Sequence, residues 1–458
     1  MQIKKMTYYP KARKLLLPLL VVCSFVICGC GNLYTGEENV FDPDRDESIQ
    51  EESIPVMVAF SDPYYNILSR GVGKIDPEED YFYDKMNPVD EEGNPDNENK
   101  PRFFVYAFRK IKPDYSITRA EDKEMCLIDG SCGTQADWAR EKDPTLEGHG
   151  KWAYYNGNGS FINWHFLDDK VYYSNDSQMT PFEFFAYYHD GSATDKVTRT
   201  ANHISFPVKI DGSQDLMCGT AELTEEQLKN INEIEDEAEK QKIKEFYYST
   251  YTGRRNIWPI LQMKHQLAYV KFNLLAGNAY GDPVRVHEMS LKTQTKGIFV
   301  VASTDHKVGA TFIDSDEEGM EYLPLRDLKT GKAITTEVWE ERLNNNEYRL
   351  EYYSPEEKIE FGKERPDPYV AGELLIPPGN NTVLQMILSN NDTGHIKPEL
   401  TEIFLKDKIG ENGSGFMAGR EYNMNITVYG PKKISIEIEA SPWINGGDID
   451  VDIENDKS

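Results

Sequence analysis

The 458-residue chain carries 78 acidic against 50 basic side chains, a net charge of −28 at neutral pH. Beyond the first 29 residues, Lys and Arg form no cluster that would hold a polyanion, which argues against nucleic acid as a partner. About 430 residues remain beyond the first 29, too many for one hydrophobic core, so two domains are expected.

Lys4, Lys5, Lys11, Arg13 and Lys14 precede the apolar run Leu15 to Cys28, and no acidic residue occurs before Glu37. This is the layout of a secretory signal whose apolar run is too short to span a bilayer. It ends in Ile27-Cys28-Gly29-Cys30, which resembles the lipobox of bacterial lipoproteins: an aliphatic residue, two small ones, then the cysteine that receives diacylglycerol. Residues 1–29 are therefore expected to be a signal peptide, with Cys30 a palmitate-bearing lipid anchor. No later apolar segment approaches eighteen residues, so only the lipid is expected to touch membrane.

Residues 30–53 are acidic and poor in large apolar side chains, as a flexible tether would be. Order is expected from Ile54. The stretches 54–60, 102–108 and 182–188 read as β-segments by period two, and aromatic residues at 12% support the same reading. From Leu223 to Phe246 the pattern changes. Thr224 and Gln227 form a capping box, and Leu228, Ile231, Ile234 and Ala238 recur at helical spacing, which predicts one surface helix. Strands resume at Met263 to Leu275, placing a domain boundary near residue 250, between domains 54–250 and 251–458. Further strands are predicted at 297–302, 372–376, 382–389 and 422–429. Two last segments alternate strictly: Ile434, Ile436 and Ile438 with Ser and Glu, and Ile449, Val451 and Ile453 with Asp. The fold class is all-β with one inserted helix.

Chemistry-bearing patterns are thin. The eight His residues show no metal-ligand spacing, and the acidic runs 42–46 and 314–318 lack the glycine and terminal acid of calcium loops. No nucleophile elbow, phosphate-binding loop or dinucleotide fingerprint occurs. No cofactor, metal or catalytic residue is assigned, and the chain is read as a non-enzyme. Cys126 and Cys132 are candidates for a short loop disulfide, while Cys218 reads as a buried, inert thiol. The aromatic cluster from Trp152 to Trp164 is either a sugar-stacking platform or core packing.

Ser69-Arg70-Gly71-Val72-Gly73, Phe184-Phe185-Ala186-Tyr187-Tyr188, Asp211-Gly212-Ser213-Gln214-Asp215-Leu216-Met217, Lys264 to Phe272, Ala418-Gly419-Arg420-Glu421-Tyr422 and Pro442-Trp443 occur in this order behind the lipobox. In this the chain resembles the fimbrillin family, lipoprotein precursors of fimbrial subunits from Gram-negative anaerobes. The resemblance implies two transthyretin-like β-sandwich domains, outer-membrane or fimbrial localisation, a role in cell adhesion, and partners that are other fimbrial subunits. It also implies assembly by strand exchange: a trypsin-like protease removes an N-terminal strand, and a neighbour's terminal strand fills the groove. Arg70 matches the cleavage position, a plain loop arginine being the other reading. Ile449, Val451 and Ile453 suit the donor strand, an edge strand of their own domain being the other reading. A surface glycan-binding lipoprotein using the 152–164 aromatics is the alternative function.

Overall fold

The computed structural model describes residues 54–60, 102–110 and 126–442, apart from 132, 155–160, 167–170, 174–177, 277–283, 313–318, 328–329, 340–348, 351–368, 391–397, 407, 410–414 and 431–432. Within them the chain is predominantly β. The strands are β1 (Ala59–Phe60), β2 (Arg102–Arg109), β3 (Cys126–Ile128), β4 (Lys151–Tyr154), β5 (Asn163–Trp164), β6 (Phe182–His189), β7 (Thr198–Arg199), β8 (His203–Lys209), β9 (Leu216–Ala221) and β10 (Ile260–His265). They continue as β11 (Ala268–Ala276), β12 (Val284–Gln294), β13 (Lys296–Ser303), β14 (Gly309–Phe312), β15 (Met320–Pro324), β16 (Arg349–Leu350), β17 (Tyr369–Ile376), β18 (Val383–Asn390), β19 (Glu399–Phe404), β20 (Arg420–Gly430) and β21 (Lys433–Pro442). Helices α1 (Thr134–Lys142), α2 (Glu225–Asn232), α3 (Glu237–Glu245) and α4 (Thr250–Gly253) are short.

The strands form two sandwiches. In the first, a large sheet ordered β1-β10-β9-β6-β2-β4-β5, with β3 on β2, faces a four-stranded sheet ordered β14-β13-β8-β7. Phe104, Tyr106, Tyr187, Phe206 and Phe299 fill the space between them. The opposite face of the large sheet carries a second apolar layer of Phe103, Phe184, Tyr188 and Met217, covered by Val56, Val58, Ile231, Ile243, Tyr248 and Tyr251. Strands β2 and β6 are thus buried on both faces, which is why they read Phe-Phe-Val-Tyr-Ala-Phe and Phe-Glu-Phe-Phe-Ala-Tyr-Tyr instead of the alternation expected of half-buried strands. In the second sandwich, β17-β11-β20-β21 faces β15-β12-β18-β19 across a core built on Phe272, Leu291, Met386, Met424 and Trp339.

Three features of the structure go beyond the local sequence pattern. The boundary between 250 and 251 does not separate the sheets: β10 pairs with β9 along Leu261–His265, and β13 returns to pair with β8, Phe299 opposite Phe206. The register decides this, because an edge left open by β8 takes a distant strand as readily as a near one. The single helix at 223–246 is two. The capping box of Thr224 and Gln227 starts α2 as expected, but Asp236 accepts from the N–H groups of Ala238 and Glu239 and starts a second helix, an N-cap within the charged run. The third is α1, absent from the sequence reading; its buried Gln135 and Ala136 give little apolar periodicity.

The two sandwiches meet at the loop 211–215. Gly212 O accepts from Leu375 N at 2.9 Å, and Arg326 Nη2 bonds to Asp211 O at 2.9 Å and to its carboxylate at 3.0 Å. Gly212 sits at φ +94°, and a Cβ there would lie 2.5 Å from Leu374 Cδ2. Only glycine meets both conditions without strain.

Candidate functional site: the cleft under residues 54–60

Residues 54–60 are the first described part of the chain and lie in an extended groove. On one side Val56 N donates to Val171 O, Tyr173 N to Ile54 O and Ile162 N to Val58 O, each at 2.9 Å. On the other, Ala59 N donates to Pro259 O at 3.0 Å, and Ala59 and Phe60 pair in parallel with Ile260 and Leu261. Pro55, which has no N–H to give, is exposed.

Side chains follow the period of two expected from the sequence. Val56, Val58 and Phe60 are 4, 1 and 0% exposed, and the Phe60 and Phe103 rings lie 4.9 Å apart. The cleft that receives them is walled by Tyr173, Tyr248, Tyr251, Ile257 and Leu261. Burial raises the phenols of Tyr173 and Tyr248 well above the ordinary tyrosine range, the mark of a dry site. Gly253 leaves the entrance open: a Cβ there would come within 3.1 Å of Ile54 and 3.2 Å of the Tyr173 ring. A strand so placed contributes about 1.5–3 kcal/mol for each buried aliphatic or aromatic side chain, set against the cost of ordering the segment. Without it, the cleft would expose apolar wall and the unpaired backbone groups of Val171, Tyr173, Ile162 and Pro259. An incoming strand with one apolar face satisfies both.

The other expected positions fall as follows. Cys30, Arg70, Cys132, Ile449, Val451 and Ile453 lie outside the described residues. Cys126 Sγ is 3.6 Å from Asp129 Oδ2, a carboxylate that also pairs with Arg199 at 2.7 Å. Cys218 is buried on β9, between β6 and β10, and burial pushes its thiol up to about 12, which disfavours the thiolate. Among the described residues no group of three His, Cys, Asp or Glu is placed to hold a metal, and no helix is long and apolar enough to cross a membrane.

The aromatic cluster at 152–164 is packing at its centre. Trp152 is 3% exposed, its ring stacked on His165 at 3.7 Å with the Arg102 guanidinium 4.3 Å from its centroid, which leaves no ring face for a sugar. The sequence reading did not single out Tyr173 or Gly253. Their role depends on chain segments eighty and more residues apart meeting at one wall, which no local pattern signals.

No family model and no curated protein matches the chain. Solved structures do. A proposed cell adhesion protein from Bacteroides uniformis is 10% identical with a TM-score of 0.39, the alignment covering 86% of this chain and 99% of that one. A fimbrial protein from Bacteroides vulgatus is 11% identical, TM-score 0.36, covering 75% and 93%. The fimbrial anchor protein Mfa2 from Porphyromonas gingivalis is 10% identical, TM-score 0.30, covering 85% and 97%.

Proposed function

We propose that the chain is a fimbrial subunit of the cell surface that assembles by strand exchange, with residues 54–60 as the strand that is given up. The supporting observation is a groove shaped for one strand: Val56, Val58 and Phe60 lie in the core, while backbone bonds to Val171, Tyr173, Ile162 and Pro259 hold both edges of the segment, the contacts an incoming strand would take over. The segment is a plug in a dry apolar groove, continuous with the chain that leads to Arg70. Export as a lipoprotein acylated at Cys30 would carry the precursor to the outer membrane. A trypsin-like protease acting after Arg70 would release the plug, and the alternating Ile449, Val451 and Ile453 would supply the replacement from a neighbouring copy. Burial of those three side chains contributes about 1.5–3 kcal/mol each before ordering costs.

The test is to cleave the purified precursor with a trypsin-like protease and follow polymers by electron microscopy. Cleaved wild-type chain is expected to polymerise and Arg70→Ala to remain monomeric. The triple variant Ile449→Ser, Val451→Ser, Ile453→Ser should fold but form no fibre. Polymers of undiminished length from the triple variant would rule out this donor strand, and monomers under every cleavage condition would overturn strand exchange.

A further inference from the structure

Three large apolar side chains, Tyr322, Leu400 and Phe404, share the outer face of the five-stranded sheet and are 43, 57 and 70% exposed. Of their inner-face neighbours, Leu323 belongs to the core of the second sandwich and Ile403 packs against it, so alternation turns these three outward. The register puts them on one surface: Tyr322 is opposite Lys292, Lys292 opposite Val383, and Val383 opposite Phe404. Strands β15 and β19 stand three strand spacings apart in this sheet, roughly 14 Å. Yet the Tyr322 hydroxyl donates a hydrogen bond to Glu402 Oε1 at 3.0 Å. The two side chains must therefore reach towards each other over β12 and β18, which lays the phenol ring along the sheet surface. Ser290 and Val383, on the same outer face, are accordingly only 4 and 8% exposed. Lys292 Nζ lies 5.4 Å from the ring centroid.

We propose that this face is a binding site for a neutral glycan chain, with a pyranose ring stacked on Tyr322 and its hydroxyls bonded to Glu402, Lys292 and Gln385. The C–H face of a pyranose is weakly positive and matches the negative face of an aromatic ring. Because the Glu402 bond holds the phenol in place, little rotamer freedom is lost on binding. Lys292 and Glu402 cancel each other locally, and a chain of net charge −28 repels anionic ligands, so the charge balance favours a neutral, hydroxyl-rich one. Phe404 and Leu400 extend the surface along β19 for a further sugar unit. The site is separate from the 152–164 cluster and does not depend on strand exchange.

The full chain, titrated calorimetrically with neutral hexasaccharides of glucose, mannose, xylose and N-acetylglucosamine, tests this. At least one should bind saturably. Tyr322→Ala should weaken it about tenfold, and Tyr322→Phe, which keeps the ring and loses its tether to Glu402, by less. Tyr322 is exposed, so both variants should melt with the wild type, and His165→Ala should bind as wild type. The proposal is overturned if no hexasaccharide binds at about ten millimolar, if Tyr322→Ala binds undiminished, or if His165→Ala is the variant that fails. It is also overturned if sedimentation shows a concentration-dependent dimer abolished by Phe404→Asp, which would assign the face to a second copy.

Discussion

Between the two sheets of the first sandwich, His149 and His189 lie with ring centroids 5.0 Å apart among Phe104, Tyr187 and Phe206. His149 Nδ1 meets the Tyr187 hydroxyl at 2.7 Å, while both ring nitrogens of His189 are buried without a hydrogen-bond partner. Burial, reinforced by Arg102 and opposed by Asp143, lowers His189 to about 4; burial and the neighbouring His189 hold His149 well below the usual range. The folded chain therefore refuses protons that the unfolded chain accepts. This contribution to stability is complete above about pH 6.5 and is lost as pH falls towards 4, about 3 kcal/mol for His189 alone. His189→Phe should flatten the fall in denaturation midpoint between pH 7 and 4, and an unchanged slope would show that other groups carry it. Gly212 offers a second check. Gly212→Ala forces a side chain to φ +94° against buried Leu374 and should cost about 2 kcal/mol, read as a lowered midpoint in urea.

Among the elements, the segment ending in β1 is the one whose contribution should depend on the state of assembly under the proposed strand exchange. Phe60 is fully buried against Phe103, so Phe60→Ala should destabilise the uncleaved precursor by about 3–5 kcal/mol. Once the strand is cut away and replaced, the same substitution should leave the melting temperature of the polymer unchanged. A loss of equal size in both states would mean that the segment never leaves its groove. The last described strand, β21, is the counterpart at the other end of the described residues. Ile434, Ile436 and Ile438 lie half-buried against the second core, while Ser435, Glu437 and Glu439 are exposed. Charges along an edge strand discourage pairing with other chains.

For the molecule as a whole, the proposed activation by a trypsin-like protease would require that other basic sites be protected. The dibasic Arg254-Arg255 is the most conspicuous such site in the sequence, and both residues are buried, at 6 and 3% exposure. Arg255 donates from Nε to Glu239 at 2.8 Å and lies over the Tyr251 ring at 3.7 Å, while Lys242 stands 4.1 Å from the same centroid. Native chain treated with trypsin should yield no fragment ending at Arg254 or Arg255, by mass spectrometry; Tyr251→Ala, which removes the ring, should open the site. The insertion α2–α3 thus has a structural use: it supplies the Glu239 and Lys242 that lock this connector.

What the sequence determined by itself was whatever depends on neighbours along the chain. The period of two at 54–60 and 433–442, the capping box at Thr224, the inert Cys218 and the β-rich class all follow from local side-chain alternation and hydrogen bonding. Tertiary structure decided the rest, because it depends on which distant backbone edges meet. Pairing of β13 with β8 carries residues beyond the expected boundary into the first sandwich, and burial of β2 and β6 from both sides erases their alternation. His165 and Arg102 close over Trp152 and turn a candidate sugar platform into packing, while the reach of Tyr322 to Glu402 lays an aromatic face open elsewhere. The cleft under Val56, Val58 and Phe60 is walled by residues that come together only when strands pair over long separations, where loop-closure entropy and edge satisfaction, not local pattern, select the partner.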